Sequence, residues 1–232
     1  MKVAVIGVGS MGKNHARIYS ELSEVELCAV ADSQVKVAEK VGAAYNAHPY
    51  ADYRKLLEKE RPDAVSIAVP TALHEEAAQA AFEAGAHVLV EKPMARSTEE
   101  CDAMIKAAKE NGITLVVCHD RRYNDEWRAV KEIVSSGRIG KPIFYRLEHN
   151  QNYAPAEGSW VRSANLLGGG CIMSCLTHQI DALRWIGGEM RNVTCVTKVI
   201  PERMEGESIG IIAGQMENGA LAELSINWHT IS

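Results

Sequence analysis

Three glycines near the start of the chain have the spacing of a phosphate-binding turn. The motif Gly7-Val8-Gly9-Ser10-Met11-Gly12 follows an apolar run over residues 2–6 and opens a segment of helical period. In this setting the first glycine permits a tight turn, the second lets the backbone approach a pyrophosphate, and the third lets helix and strand pack closely. The helix N-terminus adds N–H groups and a partial positive charge. The motif predicts a site for an anionic dinucleotide that includes Ser10 and Met11.

Asp32 lies 20 residues after Gly12, at the end of the second predicted strand. A carboxylate there can accept hydrogen bonds from the adenosine ribose hydroxyls and would repel a 2′-phosphate, which favours NAD over NADP. NADP stays open, because Ser33 and Gln34 could accommodate a phosphate if Asp32 turned away. In the simpler alternative, the glycines only permit close packing and Asp32 is a helix N-cap.

Lys92 could polarise a substrate oxygen. It follows the predicted strand over residues 86–90 in Glu91-Lys92-Pro93, and the carboxyl ends of parallel strands are where ligands bind in open sheets. A lysine beside a bound nicotinamide could donate to a hydroxyl or carbonyl oxygen. The alternative is that Glu91 and Lys92 form an ordinary exposed ion pair.

His178 could accept a proton. It lies three residues before Asp181 on a predicted helix, so that both side chains share one helical face. A neutral imidazole can take the proton of an alcohol as hydride leaves, and Asp181 could help to orient it. A structural or exposed histidine remains the alternative.

The elements that must position these groups follow two patterns. Up to residue 118, short runs rich in Val and Ile alternate with longer segments of helical period, which predicts a doubly wound parallel sheet covered on both faces. We expect five strands, over residues 2–6, 25–31, 63–68, 86–90 and 113–118. We expect helices over residues 11–22, 33–41, 50–60, 72–84 and 97–110, with Ser97 and Glu100 forming a capping box.

The pattern changes after about residue 119, which indicates a second domain. We expect a helix over residues 124–136, a strand over 142–148, and a helix over 172–186 that follows Gly168-Gly169-Gly170. Strands near 190–199, 208–216 and 220–228, with hairpin signals at Glu205-Gly206 and Asn218-Gly219, predict an antiparallel sheet.

Composition excludes several classes of protein. The 232 residues are 47% hydrophobic and carry 25 basic against 30 acidic side chains, which predicts a globular protein without an electrostatic footprint for nucleic acid. No apolar run approaches the ~20 residues of a membrane span. Six cysteines without C-x-x-C pairs favour reduced thiols and a cytoplasmic location.

We expect no metal site. Cys171, Cys175 and His178 are spaced to share one helical face. At a rise of ~1.5 Å per residue the outer two are about 10 Å apart, too far for one ion that needs each ligand within ~2.0–2.3 Å.

Several motifs together resemble the Gfo/Idh/MocA oxidoreductase family. They are the glycine motif with Asp32, then Ala68-Val69-Pro70-Thr71 followed by His74, Glu91-Lys92-Pro93, Arg121-Arg122-Tyr123, and the glycine run ahead of His178-Gln179-Ile180-Asp181. The resemblance implies an NAD(P)-binding Rossmann domain over residues 1–119 and an α+β open-sheet domain for substrate binding and oligomerisation over residues 120–232. It also implies that Lys92 and His178 are the catalytic pair, and that Pro70, Thr71, His74 and Glu91 lie at the cofactor.

The chain departs from the family in two respects. The family often places Asp four residues before the histidine, where this sequence has Ser174, which cannot carry charge. Family members also usually continue through further strands, so we expect the second sheet to be shortened, with a homo-oligomer, dimer or tetramer, covering the open sheet.

The predicted function is hydride transfer between a nicotinamide and a secondary alcohol or ketone of a sugar, cyclitol or nucleotide sugar. Candidate substrate contacts are Lys92, Arg122, Tyr123, Trp160, Arg162, Ser174 and His178. For Arg122 and Tyr123, a surface arginine and a half-buried tyrosine are the alternatives. Two other functions stay open: an NAD-dependent glycoside-cleaving enzyme that retains its cofactor, and a non-catalytic dinucleotide-binding sensor or subunit.

Overall fold

The protein contains two compact units, Met1–Cys118 and His119–Ser232. The computed structural model describes residues 1–230. Within these residues, no helix has both the length and the apolar character needed to cross a membrane.

The first unit is a six-stranded parallel sheet in the order β3-β2-β1-β4-β5-β6. The order reverses between β1 and β4, which is where a parallel sheet opens a crevice beyond its carboxyl ends. The expected doubly wound sheet is therefore confirmed. The strands are β1 (Lys2–Ile6), β2 (Glu26–Ala31), β3 (His48–Tyr50), β4 (Ala64–Ile67), β5 (His87–Glu91) and β6 (Leu115–Cys118). The helices are α1 (Ser10–Glu21), α2 (Val35–Tyr45), α3 (Tyr53–Glu60), α4 (His74–Glu83) and α5 (Thr98–Glu110), the last capped by Ser97.

The prediction of five strands was wrong by one, because β3 was missed. This strand has only three residues, His48, Pro49 and Tyr50, and pairs with β2 at the edge of the sheet. It carries no apolar run, and proline is tolerated only where a ladder hydrogen bond is not needed, as on an edge strand. Residues 50–52 accordingly precede the helix that was expected to start at residue 50.

The core of this unit has a layer on each face of the sheet. Alternate residues of β1 point to opposite sides: Ala4 and Ile6 belong to one buried cluster, and Val3 and Val5 to the other. The first cluster includes residues of α3, α4 and α5, such as Phe82, whereas the second includes residues of α1 and α2. Burial on both faces explains why these strands read as continuous apolar runs.

The second unit contains a mixed four-stranded sheet in the order β7-β10-β9-β8. The predicted antiparallel arrangement is confirmed for β8 (Met190–Val199), β9 (Glu207–Met216) and β10 (Leu221–Asn227). β7 (Phe144–Asn150) instead pairs parallel to β10, with Phe144 opposite Leu221, so the sheet as a whole is mixed. A strand that precedes its neighbour by more than 70 residues shows no hairpin signal in the sequence.

The helix that carries His178 is not uniform. The predicted helix over 172–186 divides into a π-helical segment, Ile172–Leu176, and α8 (Thr177–Gly187). Two further helices precede it, α6 (Asp125–Ser135) and the short α7 (Ala164–Leu167). α8 packs on the sheet, with Leu183 buried beside residues of β10.

Candidate active site

The glycine turn after β1 has one open and two crowded positions. Gly7 has φ +83°, and a Cβ on it would meet the carbonyl of Ala68. A Cβ on Gly12 would overlap the carbonyl oxygen of Gly7. A Cβ on Gly9 would meet no described atom within 4 Å, so the middle glycine faces open space. This is the arrangement in which a backbone can approach a phosphate closely.

The start of α1 suits an anion. Gly9 is the N-cap residue and offers no side chain to cap the helix, and the first turn as described contains no acidic residue. The N–H groups and the partial positive charge at this end are therefore not neutralised locally. Ser10 and Met11, both predicted at the cofactor, are exposed here. The turn thus has the features of a pyrophosphate cradle.

Asp32 ties the glycine turn to the end of β2. Its Oδ2 accepts a hydrogen bond from the Val8 N–H at 3.0 Å, and its Oδ1 accepts one from the Gln34 N–H at 2.9 Å. The side chain does not cap α2, whose N-cap residue is Gln34. Each carboxylate oxygen keeps a second lone pair for a further donor such as a ribose hydroxyl. The geometry is therefore compatible with the predicted ribose contact.

Glu91 is not part of an exposed ion pair. It is 7% exposed, and its Oε1 lies 3.1 Å from Nε2 of His15, which is 8% exposed. Its Oε2 accepts a hydrogen bond from the Lys92 backbone N–H at 3.2 Å. Burial favours a higher pKa for Glu91, but the hydrogen bond and charge of His15 lower the pKa below its usual value. Glu91 therefore supports the turn that carries Lys92, and its carboxylate is already engaged.

His74 likewise has a structural role. It is 1% exposed, with Nε2 at 2.9 Å from the carbonyl oxygen of Val69 and Nδ1 at 3.0 Å from that of Pro93. Burial lowers the pKa of His74, and its contacts with the backbone carbonyl oxygens oppose that shift. His74 thus joins the segment after β4, which contains Pro70 and the buried Thr71, to the turn after β5. This contact directs the His74 ring nitrogens to the backbone rather than to a cofactor.

The glycine run ahead of His178 serves packing. A Cβ on Gly170 would overlap the backbone of Glu207 at the start of β9, and the Glu207 Oε1 accepts a hydrogen bond from the Ile172 N–H at 3.0 Å. Gly168, with φ +85°, ends α7. These contacts fix where the helix bearing His178 begins.

The structure pairs Asp181 with Arg122. The Arg122 Nε and Nη2 donate to the two carboxylate oxygens of Asp181 at 2.8 and 2.6 Å, and the His119 Nε2 lies 3.7 Å away. Asp181 is 8% exposed. Two-point pairing of this kind fixes both planar groups. The expectation that Asp181 orients His178 therefore needs revision, because both of its oxygens are bound to the guanidinium.

Asp120 is the carboxylate found beside His178. Its Oδ1 lies 3.6 Å from the His178 Nδ1. Asp120 begins a 3₁₀ helix, Asp120–Tyr123, directly after β6. Nothing in the sequence pattern pairs residues 58 positions apart, as for Asp120 and His178, or 76 apart, as for His15 and Glu91, so both Asp120 and His15 were missed. The position of Asp120 just beyond a strand of the parallel sheet was the one available signal.

The remaining predicted substrate contacts have varied environments. Tyr123 is 79% exposed and Trp160 is 37% exposed. Trp160 and Arg162 share a short 3₁₀ helix, and the Arg162 Nη2 donates to the carbonyl oxygen of Glu202 at 2.9 Å. Ser174 lies in the π-helical segment, one turn before His178. The segment before α7 thus carries a partly exposed aromatic side chain and an anchored guanidinium.

One cluster of metal-ligand type is present within residues 1–230. The ligand atoms of His15, Glu91 and Cys118 lie within 4.8 Å of one another. His15 and Glu91 already contact each other directly, which accounts for their proximity without an ion. The set of Cys171, Cys175 and His178 does not form such a cluster among the described residues.

Comparison with known proteins relates both halves of the chain to one group. Residues 1–119 match a family model described as an oxidoreductase family with an NAD-binding Rossmann fold, and residues 127–232 match the GFO/IDH/MocA C-terminal domain. An inositol 2-dehydrogenase of Streptomyces avermitilis is 33% identical over 97% of this chain and 65% of its own length. An uncharacterized oxidoreductase, YrbE, of Bacillus subtilis is 31% identical over 94% of this chain.

A solved structure shares the fold. The WlbA dehydrogenase of Bordetella pertussis, in complex with NADH and UDP-GlcNAcA, superposes with a TM-score of 0.92 and 27% identity, covering 99% of this chain and 73% of its own. The chain spans 64% and 65% of the two curated relatives named above.

Proposed function

Because the chain belongs to the Gfo/Idh/MocA oxidoreductase family, we propose that it transfers hydride between NAD and a secondary alcohol carbon of a sugar, cyclitol or nucleotide sugar. The observation that carries this proposal is the glycine turn after β1, which leaves Gly9 open at an uncapped helix start and is tied to Asp32. The relatives support the class of substrate, since they include an inositol dehydrogenase and a dehydrogenase crystallised with a UDP-sugar.

The cofactor is held by residues of the first unit. The N–H groups of Ser10, Met11 and Gly12 would bind the pyrophosphate, and the Asp32 carboxylate would accept hydrogen bonds from the adenosine ribose. The same carboxylate disfavours a 2′-phosphate, so that NAD is preferred over NADP. NAD, when bound, supplies the hydride acceptor at the nicotinamide ring.

Two side chains of this chain handle the proton and the substrate oxygen. During oxidation the substrate loses hydride from carbon and a proton from its hydroxyl group, and His178 accepts that proton. The Lys92 ammonium donates to the same oxygen and stabilises the negative charge that develops there. Glu91 keeps the Lys92 backbone in place by accepting its N–H, and His15 in turn holds the Glu91 carboxylate. Asp181 acts indirectly, by fixing the position of the Arg122 guanidinium.

The sugar is received by polar and aromatic groups of the second unit. Trp160 offers an aromatic face, and Arg162 offers a guanidinium that is anchored on Glu202 and keeps further donors. Tyr123 and Arg122 belong to the 3₁₀ helix that also carries Asp120. Ser174 donates a hydroxyl hydrogen bond rather than a charge.

The chain acts as a cytoplasmic homo-oligomer, a dimer or tetramer. Cys28, Cys101, Cys171, Cys175 and Cys195 are free thiols, as is usual in reducing compartments. Apolar side chains are exposed along β8 and β9, among them Val193, Val196 and Ile211 at 56%, 68% and 50%. Exposed apolar surface of this kind marks interaction sites.

The test begins with binding and ends with turnover. The purified protein is titrated with NADH and NADPH by nicotinamide fluorescence, and then screened with NAD against polyols, cyclitols and UDP-sugars for the appearance of NADH. We expect tighter binding of NADH and reduction of NAD with at least one polyol. Lys92→Ala should abolish turnover and keep NADH binding.

Two results would contradict the proposal. Cleavage of a glycoside without net change in nicotinamide absorbance would indicate the glycoside-cleaving function. Absence of turnover with every tested substrate, together with NADH binding that Lys92→Ala keeps and Asp32→Ala abolishes, would indicate a non-catalytic dinucleotide sensor.

A further inference from the structure

Three consecutive side chains of the 3₁₀ helix Asp120–Tyr123 face three residues of α8. Asp120 lies 3.6 Å from His178, and Arg122 binds Asp181 through two hydrogen bonds. Between them, Arg121 Nη1 lies 3.3 Å from the Gln179 amide when the amide oxygen is turned toward it. Neutral and charged contacts immediately after the Asp120–His178 pair thus fix the register between the two elements.

The other nearby carboxylate is already committed. Asp181, with a side chain that is 10% exposed, binds the guanidinium of Arg122 with both oxygens and has His119 at 3.7 Å. Its negative charge is therefore balanced by the Arg122 guanidinium of the same unit. Asp120 has a side chain that is 59% exposed, and its carboxylate contacts His178.

We propose that Asp120 is the positioning residue for His178: it holds the imidazole Nδ1 and stabilises the cation formed when Nε2 accepts the substrate proton. The inference rests on the proposed function, because it assumes that His178 is the base. A carboxylate beside Nδ1 retains the proton on that nitrogen and leaves the lone pair on Nε2 for the substrate.

The distance agrees with this role. At 3.6 Å the two atoms are within ion-pair range but beyond an ordinary hydrogen bond. Catalytic hydrogen bonds are often long before ligands bind and shorten in the complex. No bond is formed or broken at Asp120, whose charge remains unchanged while the proton moves from the substrate hydroxyl to His178.

The experiment compares Asp120→Asn with the control Asp125→Asn. Asp125 is an exposed acid at the start of α6, five residues along the chain, and has no assigned role. The imidazole of His178 is titrated in the full chain by two-dimensional ¹H–¹⁵N NMR, without substrate. For the two variants and the parent, kcat and KM of polyol oxidation are then measured against pH.

The expected result is specific to Asp120. Loss of its charge moves the His178 titration midpoint about 0.7 pH unit lower, because two unit charges at this separation interact weakly but measurably in water. The kcat falls about 10- to 100-fold while the Kd for NADH stays within about twofold. Asp125→Asn behaves like the parent in every measurement.

The titration keeps the two proposals distinguishable. If no substrate is turned over, the proposed function fails, and the NMR midpoint still decides whether Asp120 pairs with His178. An unchanged midpoint in Asp120→Asn, or an equal shift in Asp125→Asn, overturns the inference. If the His178 midpoint shifts as expected in Asp120→Asn but kcat is unchanged, the catalytic part of the inference is overturned.

Discussion

Replacement of single glycines in the turn after β1 should separate cofactor binding from folding. In Gly9→Ala the new methyl group enters open space, since no described atom lies within 4 Å of its position. Its φ of −66° suits alanine, and its ψ of −150° lies about 30° beyond the usual β region. The variant should lose at most about 1 kcal/mol of stability, the cost of a poorer N-cap residue. The methyl group would instead occupy the space needed by the pyrophosphate.

The effect on affinity follows from the contacts at stake. A hydrogen bond between a backbone N–H and a charged group contributes about 1.5–3 kcal/mol. Loss of one such bond weakens binding about 10- to 150-fold. Gly12→Ala should mainly lower folding stability, whereas Gly9→Ala should mainly lower cofactor affinity. The new methyl group at position 12 would overlap the carbonyl of Gly7 and destabilise the fold by at least about 1–3 kcal/mol.

The assay is a matched pair of measurements on each variant. Urea unfolding is followed without cofactor, so that ligand binding does not contribute to stability, and NADH affinity is measured by fluorescence titration. Gly9→Ala should unfold near the parent midpoint and bind NADH at least tenfold more weakly. Unchanged NADH affinity in Gly9→Ala would refute phosphate binding at this turn, and a fully stable Gly12→Ala would refute the packing argument.

Three further predictions concern charged groups of the first unit. The Tyr50 hydroxyl donates to Glu60 at 2.6 Å, and this hydrogen bond raises the pKa of Tyr50 to about 12, so its stabilisation is present below pH ~10 and is lost as pH rises toward 12. Tyr50→Phe should cost about 1 kcal/mol at pH 7 in urea unfolding and remove this alkaline loss; an unchanged alkaline limb would contradict it. His15→Ala leaves Glu91 buried without its partner and should cost about 3 kcal/mol at pH 7. Because the pKa of Glu91 is lowered in the fold, its contribution falls below pH ~4, where His15→Ala and the parent should converge in unfolding free energy. In Asp32→Ala the ratio of NADPH to NADH affinity should rise about tenfold, and an unchanged ratio in paired titrations would oppose the role given to Asp32.

The central strands could be predicted because burial on both faces leaves uninterrupted apolar runs in the sequence. β1, β2, β4 and β5 have this character. β3 and β6 lie at the edges of the sheet: β3 is short and contains Pro49, whereas β6 could be predicted from its apolar composition alone. The parallel pairing of β7 with β10 was missed for a different reason, since a pairing between distant strands depends on tertiary packing. The same applies to the π-helical segment, whose composition differs little from that of an α-helix.

Local motifs identified candidate site residues but not their partners. The spacing of the glycines and Asp32 is short-range, so it could be read directly. The partner of Glu91 is His15, 76 residues away, and the partner of His178 is Asp120. The sequence pattern on α8 suggested Asp181 as the partner of His178, because residues i and i+3 share a helical face. Arg122 from another element binds both Asp181 oxygens, which only the three-dimensional arrangement reveals.

The groups assigned to the cofactor and those assigned to the proton are supported by separate sets of contacts. The glycine turn, Asp32 and the His15–Glu91 pair are built within residues 1–118, while the Asp120–His178 and Arg122–Asp181 contacts are made within the second unit. Heritable changes that retune the second set can therefore accumulate without disturbing the first. A lineage could in this way acquire new sugars while keeping one unchanged coenzyme.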